Sequence, residues 1–203
     1  MILASSSPRR KDLLASLGVS FEIISPDIAE EDRQEESHEE YVARLALMKA
    51  SAVAFGHKDA VVIGADTIVA VDKTRLSKPR GREDARRMLG LLSGRSHHVF
   101  TGIALVGIGL KIREVSWDRS RVAFRSLAAE EIERYISSPE PYDKAGGYGI
   151  QGAAASFIET IEGERDNVIG LPMKTVKALL IRNGLASLLH PVFPLRSSTD
   201  REG

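Results

Sequence analysis

The chain contains no cysteine, which excludes disulfides, thiolate zinc sites and cysteine nucleophiles and fits a reducing cytoplasm. It also lacks net charge. Lysine plus arginine and aspartate plus glutamate each total 28, so no global field draws it to a nucleic-acid polymer or an anionic membrane, and any anion site must be local. No apolar run is long enough to span a bilayer. Arg9, Arg10 and Lys11 follow only a few apolar residues, the reverse of a secretory signal, in which charge precedes a long apolar region. The five histidines, His38, His57, His97, His98 and His190, show no metal-ligand spacing. His97 and His98 would leave opposite faces of a strand, so no histidine zinc site is expected. These absences leave a soluble cytoplasmic protein as the expectation, with 203 residues enough for a real core in one domain or two closely packed lobes.

What is present begins at the N-terminus. Met1 to Ala4 reads as a buried strand, and Pro8 suits the first position of a helix, with Ser7 as its N-cap, Leu13, Leu14 and Leu17 at helical spacing and Gly18 as its stop. Between them Ser5-Ser6-Ser7-Pro8-Arg9-Arg10 places three hydroxyls and two guanidinium groups at a helix N-terminus, where unpaired N–H groups and the dipole favour phosphate. An ordinary capped loop with solvated arginines fits that stretch equally well.

Farther along, Phe21 to Ser25 reads as a strand and Pro26 to Glu36 as an acidic loop that includes Glu30. Ser37-His38-Glu39-Glu40 has the spacing of a capping box. The helix it opens should bury Tyr41, Leu45, Met48, Ala52 and Phe55, with Lys49 bordering that face and able to enter a cleft. Ala60 to Ala65 and Ile68 to Val71 read as two apolar strands interrupted by Asp66-Thr67. A carboxylate between such flanks is either a turn former or a functional group that needs a cation or hydrogen-bond donors. Asp72 to Leu76 reads as a hairpin turn, Lys78 is a second candidate cleft lysine, and a helix should cover Arg82 to Leu92. Long paired strands follow over His97 to Val106 and Ile112 to Phe124, then a helix over Glu130 to Ile136. Tyr142 to Gly152 is the densest glycine cluster, and Asp143, Lys144 and Gln151 add specific polar groups to it. Gln151 carries both donors and an acceptor, which suits a nucleobase edge, although a plain surface glutamine has the same spacing. Phe157 to Ile161 reads as a strand, Asp166-Asn167 as a turn and Met173 to Arg182 as the last helix. Residues 191–203 carry no periodicity and should form a flexible tail.

Taken together, Ala4-Ser-Ser-Ser-Pro-Arg-Arg10, Gly64-Ala-Asp-Thr67, Lys78-Pro79, Thr101-Gly102, Asp143-Lys-Ala-Gly-Gly-Tyr-Gly-Ile-Gln-Gly152 and Gly170-Leu-Pro172 resemble the Maf family of nucleotide pyrophosphatases, in register from about Met1 to about Gly184. The resemblance implies an α/β, ITPase-like fold with a long mixed, strongly bent sheet flanked by helices. It also implies two lobes with a central cleft, here a single catalytic domain over residues 1–190, often as a homodimer. It implies hydrolysis of nucleoside triphosphates to monophosphate and pyrophosphate with a divalent cation, and a link to septum formation and nucleotide-pool cleansing. Pro139-Glu140-Pro141 stands where the family commonly has Gly-Glu-Pro, and Gly147 where it often has alanine, so the shape of the loop holding Asp143 and Lys144 departs from the pattern.

Carried over by motif, Ser5, Ser7, Arg9 and Arg10 would bind phosphates, Asp66 would be the general base, and Lys49 and Lys78 would neutralise further oxygens. Glu30 and Asp66 would hold Mg²⁺ or Mn²⁺, hard-oxygen ligands suiting either. Asp143 and Lys144 would complete the substrate cleft, while Thr67 and Gln151 would select the base. Arg9, Thr67 and Gln151 together resemble the branch acting on dTTP and UTP. The alternatives are a nucleotide-binding regulator of septum formation with little turnover, or a pyrophosphatase for non-standard purine triphosphates.

Overall fold

A computed structural model describes residues 1–189 except 32 and 34; the expected tail over 191–203 lies outside the described residues. In chain order the elements are β1 (Ile2–Ala4), α1 (Pro8–Ala15), β2 (Glu22–Ile23), α2 (His38–Ala54), β3 (Val62–Val71), β4 (Thr74–Leu76), α3 (Arg82–Leu92), β5 (Ser96–Gly107), β6 (Ile112–Phe124), α4 (Ala129–Ile136), β7 (Ile158–Glu162), α5 (Arg165–Ile169) and α6 (Met173–Arg182). Short 3₁₀ turns over Glu140–Asp143, Ala145–Gly147 and Ala153–Phe157 connect α4 to β7.

The strands form one mixed sheet in the order β2-β1-β3-β5-β6-β7, with β4 hairpinned onto β3. β1 runs parallel to β2 and β3; the remaining pairs are antiparallel. Alternation along β3 decides which core each side chain joins. Val62, Ile68 and Ala70 face α2, in clusters with Ala46, Ala50 and Leu45. Ile63 and Ala65 turn the other way, into a cluster with Leu14 of α1 and Val176 and Leu180 of α6. Val69 and Val71 lie farther along that same face, in a separate cluster with Leu89 of α3 and Ile136 of α4. A cleft opens between these last two clusters, and Thr67, the next position on that face between Ala65 and Val69, is on its floor.

Several elements depart from the sequence reading. The strand predicted for Phe21 to Ser25 shrinks to Glu22–Ile23. β3 is one continuous strand through Asp66-Thr67, because both residues keep their ladder partners, Gly102 and Thr101 of β5. Asp166-Asn167 is not a turn but lies within α5. The capping box at Ser37 forms as expected, with Ser37 N donating to Glu40 at 2.9 Å and Glu40 N to Ser37 Oγ at 3.1 Å, a device worth about 1 kcal/mol. The buried stripe of α2 differs from the prediction, since Ala52 and Phe55 are exposed and Val42, Ala46, Ala50 and Val53 are buried. The reason is close approach: a Cβ at Gly64 would collide with the Ala46 carbonyl and one at Gly102 with the Val42 carbonyl. Two strand glycines therefore let the backbone of α2 settle on the sheet, and the small alanines face it.

Candidate active site

The pairing pattern of β3 explains where the site lies. β1 ends at Ala4, opposite Gly64, and β4 begins to pair only at Val69, so residues 65–68 have an uncovered edge. This is the carboxyl end of a parallel strand pair, the usual place for a ligand crevice in an open α/β sheet. The turn after β1 and the N-terminus of α1 border it, and a cleft of about 510 Å³ opens there. Ser5, Ser7, Arg9, Arg10, Glu30, Lys49, Thr67, Lys78, Asp143, Lys144 and Gln151 all line this cleft. Asp66 is buried beside it, 6% exposed.

Asp66 points to the α2 side, where Lys49 Nζ donates to its Oδ1 at 2.6 Å. The same ammonium lies 2.6 Å from Glu30 Oε1, so one cation holds two carboxylates that are 36 residues apart in sequence. Burial of Asp66 is tolerable because of that partner. Arg44 steadies the acidic loop that delivers Glu30: it donates to Glu31 O at 2.9 Å and makes a bidentate pair with Glu36 at 2.6 and 2.7 Å. That pair holds the Glu36 carboxyl below the usual glutamate range.

Thr67, one residue on, points to the opposite face and meets Arg10. Arg10 donates through Nη2 to Thr67 Oγ1 at 3.0 Å, through Nε to Gly170 O at 2.8 Å and through Nη1 to Ser5 Oγ at 3.4 Å. Burial pulls the Arg10 guanidinium below its ordinary pKa and Asp66 opposes that pull. Ser7 stands at the N-cap position as predicted, but its side chain makes no capping bond. The first-turn N–H groups of α1 are thus not satisfied by it.

The opposite wall is the segment from Glu140 to Gly152. Arg9 reaches across to it, donating to Asp143 Oδ2 at 2.8 Å and Asp143 O at 3.3 Å. Lys144 Nζ donates to Asp143 Oδ1 and to Glu140 O, both at 2.6 Å. Partial burial pushes the Asp143 carboxyl up, but the bonds from Lys144 and Arg9 outweigh it and hold the group below the usual aspartate range. The Arg9–Asp143 pair is half exposed, so it is weak enough to yield to a more highly charged anion. Lys78 and Gln151 are exposed, and their side chains have neither ion pair nor hydrogen bond among the described residues.

Sequence reasoning gave four supports of this cleft no role in it. Glu140 has no role there beyond its place in Pro139-Glu140-Pro141, yet its carboxylate accepts from Ala153 N at 3.0 Å and Tyr135 Oη at 3.2 Å, closing the loop on itself. His97, considered there only as a metal ligand, hydrogen-bonds the Tyr148 hydroxyl at 2.6 Å beneath the loop. Thr101 and Asn167, both fully buried, stand behind Thr67. Buried polar residues in apolar strands were the available signal for His97 and Thr101. For Glu140 the signal was its match to the glutamate of the family's Gly-Glu-Pro; nothing local marked Asn167.

Two carboxylates meeting on one ammonium are a donor set that fits Mg²⁺ or Mn²⁺, which commonly take one or two carboxylates and fill the remaining positions with phosphate oxygens and water. Among the described residues no group of three or more His, Asp or Glu side chains is arranged to hold a metal, so Glu30 and Asp66 would hold such an ion together with a phosphate-bearing substrate.

A family model described as Maf-like protein matches residues 1–183. The chain is 47% identical over 189 residues to a dTTP/UTP pyrophosphatase of Dictyoglomus thermophilum, covering 93% of this chain and 98% of that protein. It is 46% identical over 193 residues to a dTTP/UTP pyrophosphatase of Symbiobacterium thermophilum, covering 95% and 96%. Among solved structures, the Staphylococcus aureus Ham1 protein superposes with a TM-score of 0.51 at 14% identity, covering 89% of this chain and 97% of that one. That likeness shows the fold alone.

Proposed function

Because this chain belongs to the Maf family, we propose that it is a nucleoside triphosphate pyrophosphatase that cleaves dTTP and UTP to the monophosphate and pyrophosphate. The observation that carries the reading is the sorting of charge in one cleft. Arg9, Arg10, Lys49 and Lys78 line it with Glu30, Asp66 is buried beside it on Lys49, and an unengaged amide, Gln151, stands on the loop wall. A triphosphate supplies the anion for the first set, and a pyrimidine supplies donor and acceptor edges for the last.

In this reading the phosphates rest on the Ser5-to-Arg10 turn, drawing Arg9 from Asp143 and receiving the free N–H groups of Arg10 and of the first turn of α1. Lys49 and Lys78 neutralise further oxygens. A water attacks the α-phosphorus, forming a new P–O bond while the bond from that phosphorus to the bridging oxygen breaks and pyrophosphate leaves with its electron pair. Asp66 accepts the proton of the attacking water, and Lys49, beside it, limits the charge change at the carboxylate. Arginine and lysine stabilise the charge growing on the leaving group. A divalent cation on Glu30 and Asp66 would add Lewis-acid neutralisation of the triphosphate oxygens. The resemblance adds one catalytic domain over residues 1–190, a homodimer and a link to septum formation, and the lack of cysteine fits a cytoplasmic location. No helix among the described residues is long and apolar enough to cross a membrane.

Pyrophosphate and orthophosphate release should be measured over UTP, dTTP, CTP, ATP, GTP and ITP, with Mg²⁺ and with Mn²⁺. The expected result is pyrophosphate from UTP and dTTP ahead of the others and no orthophosphate. Preference for ITP would overturn the pyrimidine assignment. Tight binding of triphosphates without product would overturn the enzymatic one.

A further inference from the structure

We infer that Thr101 and Asn167 are positioning residues for Arg10, acting through the hydroxyl of Thr67. Hydrogen-bond direction makes the case. Thr101 Oγ1 donates to the backbone carbonyl of Asn167 at 2.9 Å, so its only proton is engaged. The 3.0 Å contact between Thr67 and Thr101 hydroxyls therefore has Thr67 as donor, and the Thr67 oxygen is left to accept from Arg10. The direction runs one way, from Arg10 to Thr67 to Thr101 to Asn167. Asn167 is in turn anchored, its Nδ2 donating to Val99 O at 3.1 Å and Ser120 Oγ at 2.9 Å, which ties α5 to β5 and β6. Gly170, at the C-terminal end of α5, supplies the carbonyl that takes Arg10 Nε.

Of the five guanidinium N–H groups of Arg10, Thr67, Gly170 and Ser5 take three, leaving two to meet phosphate oxygens. The Thr67 hydroxyl has no proton left for a base. Thr67 therefore cannot donate to a base; its influence on substrate choice passes through the placement of Arg10, and the UTP-to-CTP ratio of Thr67→Val tests whether its second lone pair also accepts from a base N–H. Thr101 and Asn167 are fully buried, where a hydroxyl without its partner is costly and an intact network is rigid.

The inference rests on Arg10 binding the polyphosphate, and the test separates it from the turnover reading. Thr101→Val, Thr101→Ser, Thr67→Val, Arg10→Ala and the pairs Thr101→Val/Arg10→Ala and Thr67→Val/Arg10→Ala are compared by kcat/KM on UTP and by calorimetric affinity for inorganic tripolyphosphate. Thr101→Val should weaken both by about 10-fold, the size of a weakened hydrogen bond to a charged group, with Thr101→Ser close to wild type and the UTP-to-CTP ratio unchanged. In the Arg10→Ala background the second substitution should add nothing. Additive losses in the pairs would overturn the inference, as would a changed UTP-to-CTP ratio in Thr67→Val. Should Thr101→Val fail to fold, Thr101→Ala, which also removes the hydroxyl, carries the same comparison. If the wild-type chain releases no pyrophosphate, the proposed function fails while the tripolyphosphate arm still decides the relay.

Discussion

The two walls of the cleft hold their side chains by different means. On the wall made by β1, α1, β3 and α2, the central polar groups are gripped by partners on other elements: Asp66 by Lys49, Arg10 by Thr67 and Gly170. On the wall made by residues 140–152 the grip is mostly backbone and local. Short 3₁₀ turns, the Glu140 bond to Ala153 N and the docking of Tyr148 on His97 shape it, and Gln151 projects from it unengaged. The first arrangement preorganises charges for a fixed reaction, where a small displacement is expensive. The second lets a loop change what it recognises without disturbing the chemistry.

The sharpest way to break this comparison is to change a residue on the rigid wall without altering its shape. Asp66→Asn should lower kcat by about 10²- to 10⁴-fold, the usual weight of a general base. Lys49 keeps Glu30 as a charged partner, so the folded state should persist and tripolyphosphate affinity should change little. Turnover within a few-fold of wild type would remove Asp66 from the role of base.

On the opposite wall, Gln151→Ala should act on the base alone. The expectation is a fall of about 10- to 100-fold in kcat/KM for UTP and dTTP, as when one hydrogen-bonding side chain of a polar recognition site is lost. Tripolyphosphate has no base, so its affinity should hold. A parallel loss of tripolyphosphate affinity would show that the loop wall serves the phosphates too, and the division between walls would go.

How much of this was legible in the sequence follows the same division. The order of elements was readable because each long one carries its period: β5 and β6 match the predicted strands to within a residue at each end, and α3 and α6 match their predicted spans. Pattern and composition raised the cleft-lining candidates, Lys49 through its place beside the apolar stripe of α2, and the resemblance gave them roles, since spacing alone does not tell a cleft lysine such as Lys78 from a surface one. What stayed hidden are the cross-chain hydrogen bonds. Thr101 meets Asn167 across 66 residues and Arg10 meets Gly170 across 160, separations at which only the assembled sheet brings polar atoms together. The continuity of β3 was hidden for a related reason. A carboxylate looks like a strand breaker until Lys49, on a helix that closes over the sheet through Gly64 and Gly102, supplies its counter-charge.

The smallest effect concerns the anchor of the loop wall. His97 is 1% exposed, stacked edge-on against Phe124 at 5.0 Å and bonded to the Tyr148 hydroxyl. Burial first, and then the neighbouring His98, pushes its pKa down to about 3. Below pH 6.5 the unfolded chain takes up a proton at this histidine that the folded chain refuses, so the stability it contributes is complete above about pH 6.5 and is lost progressively as pH falls toward about 3. The slope approaches about 1.4 kcal/mol per pH unit, or about 2 kcal/mol between pH 6.5 and pH 5. Urea melts at those two pH values should show wild type losing that much more than His97→Gln, whose amide still reaches for Tyr148 but does not titrate. Hydrogen exchange at Ile150 and Gln151 should quicken on acidification before exchange at Asp66 does, because protonation loosens the anchor of one wall and touches no partner on the other. Equal pH slopes in the two proteins, or exchange that rises together on both walls, would mean that the walls share a single anchor.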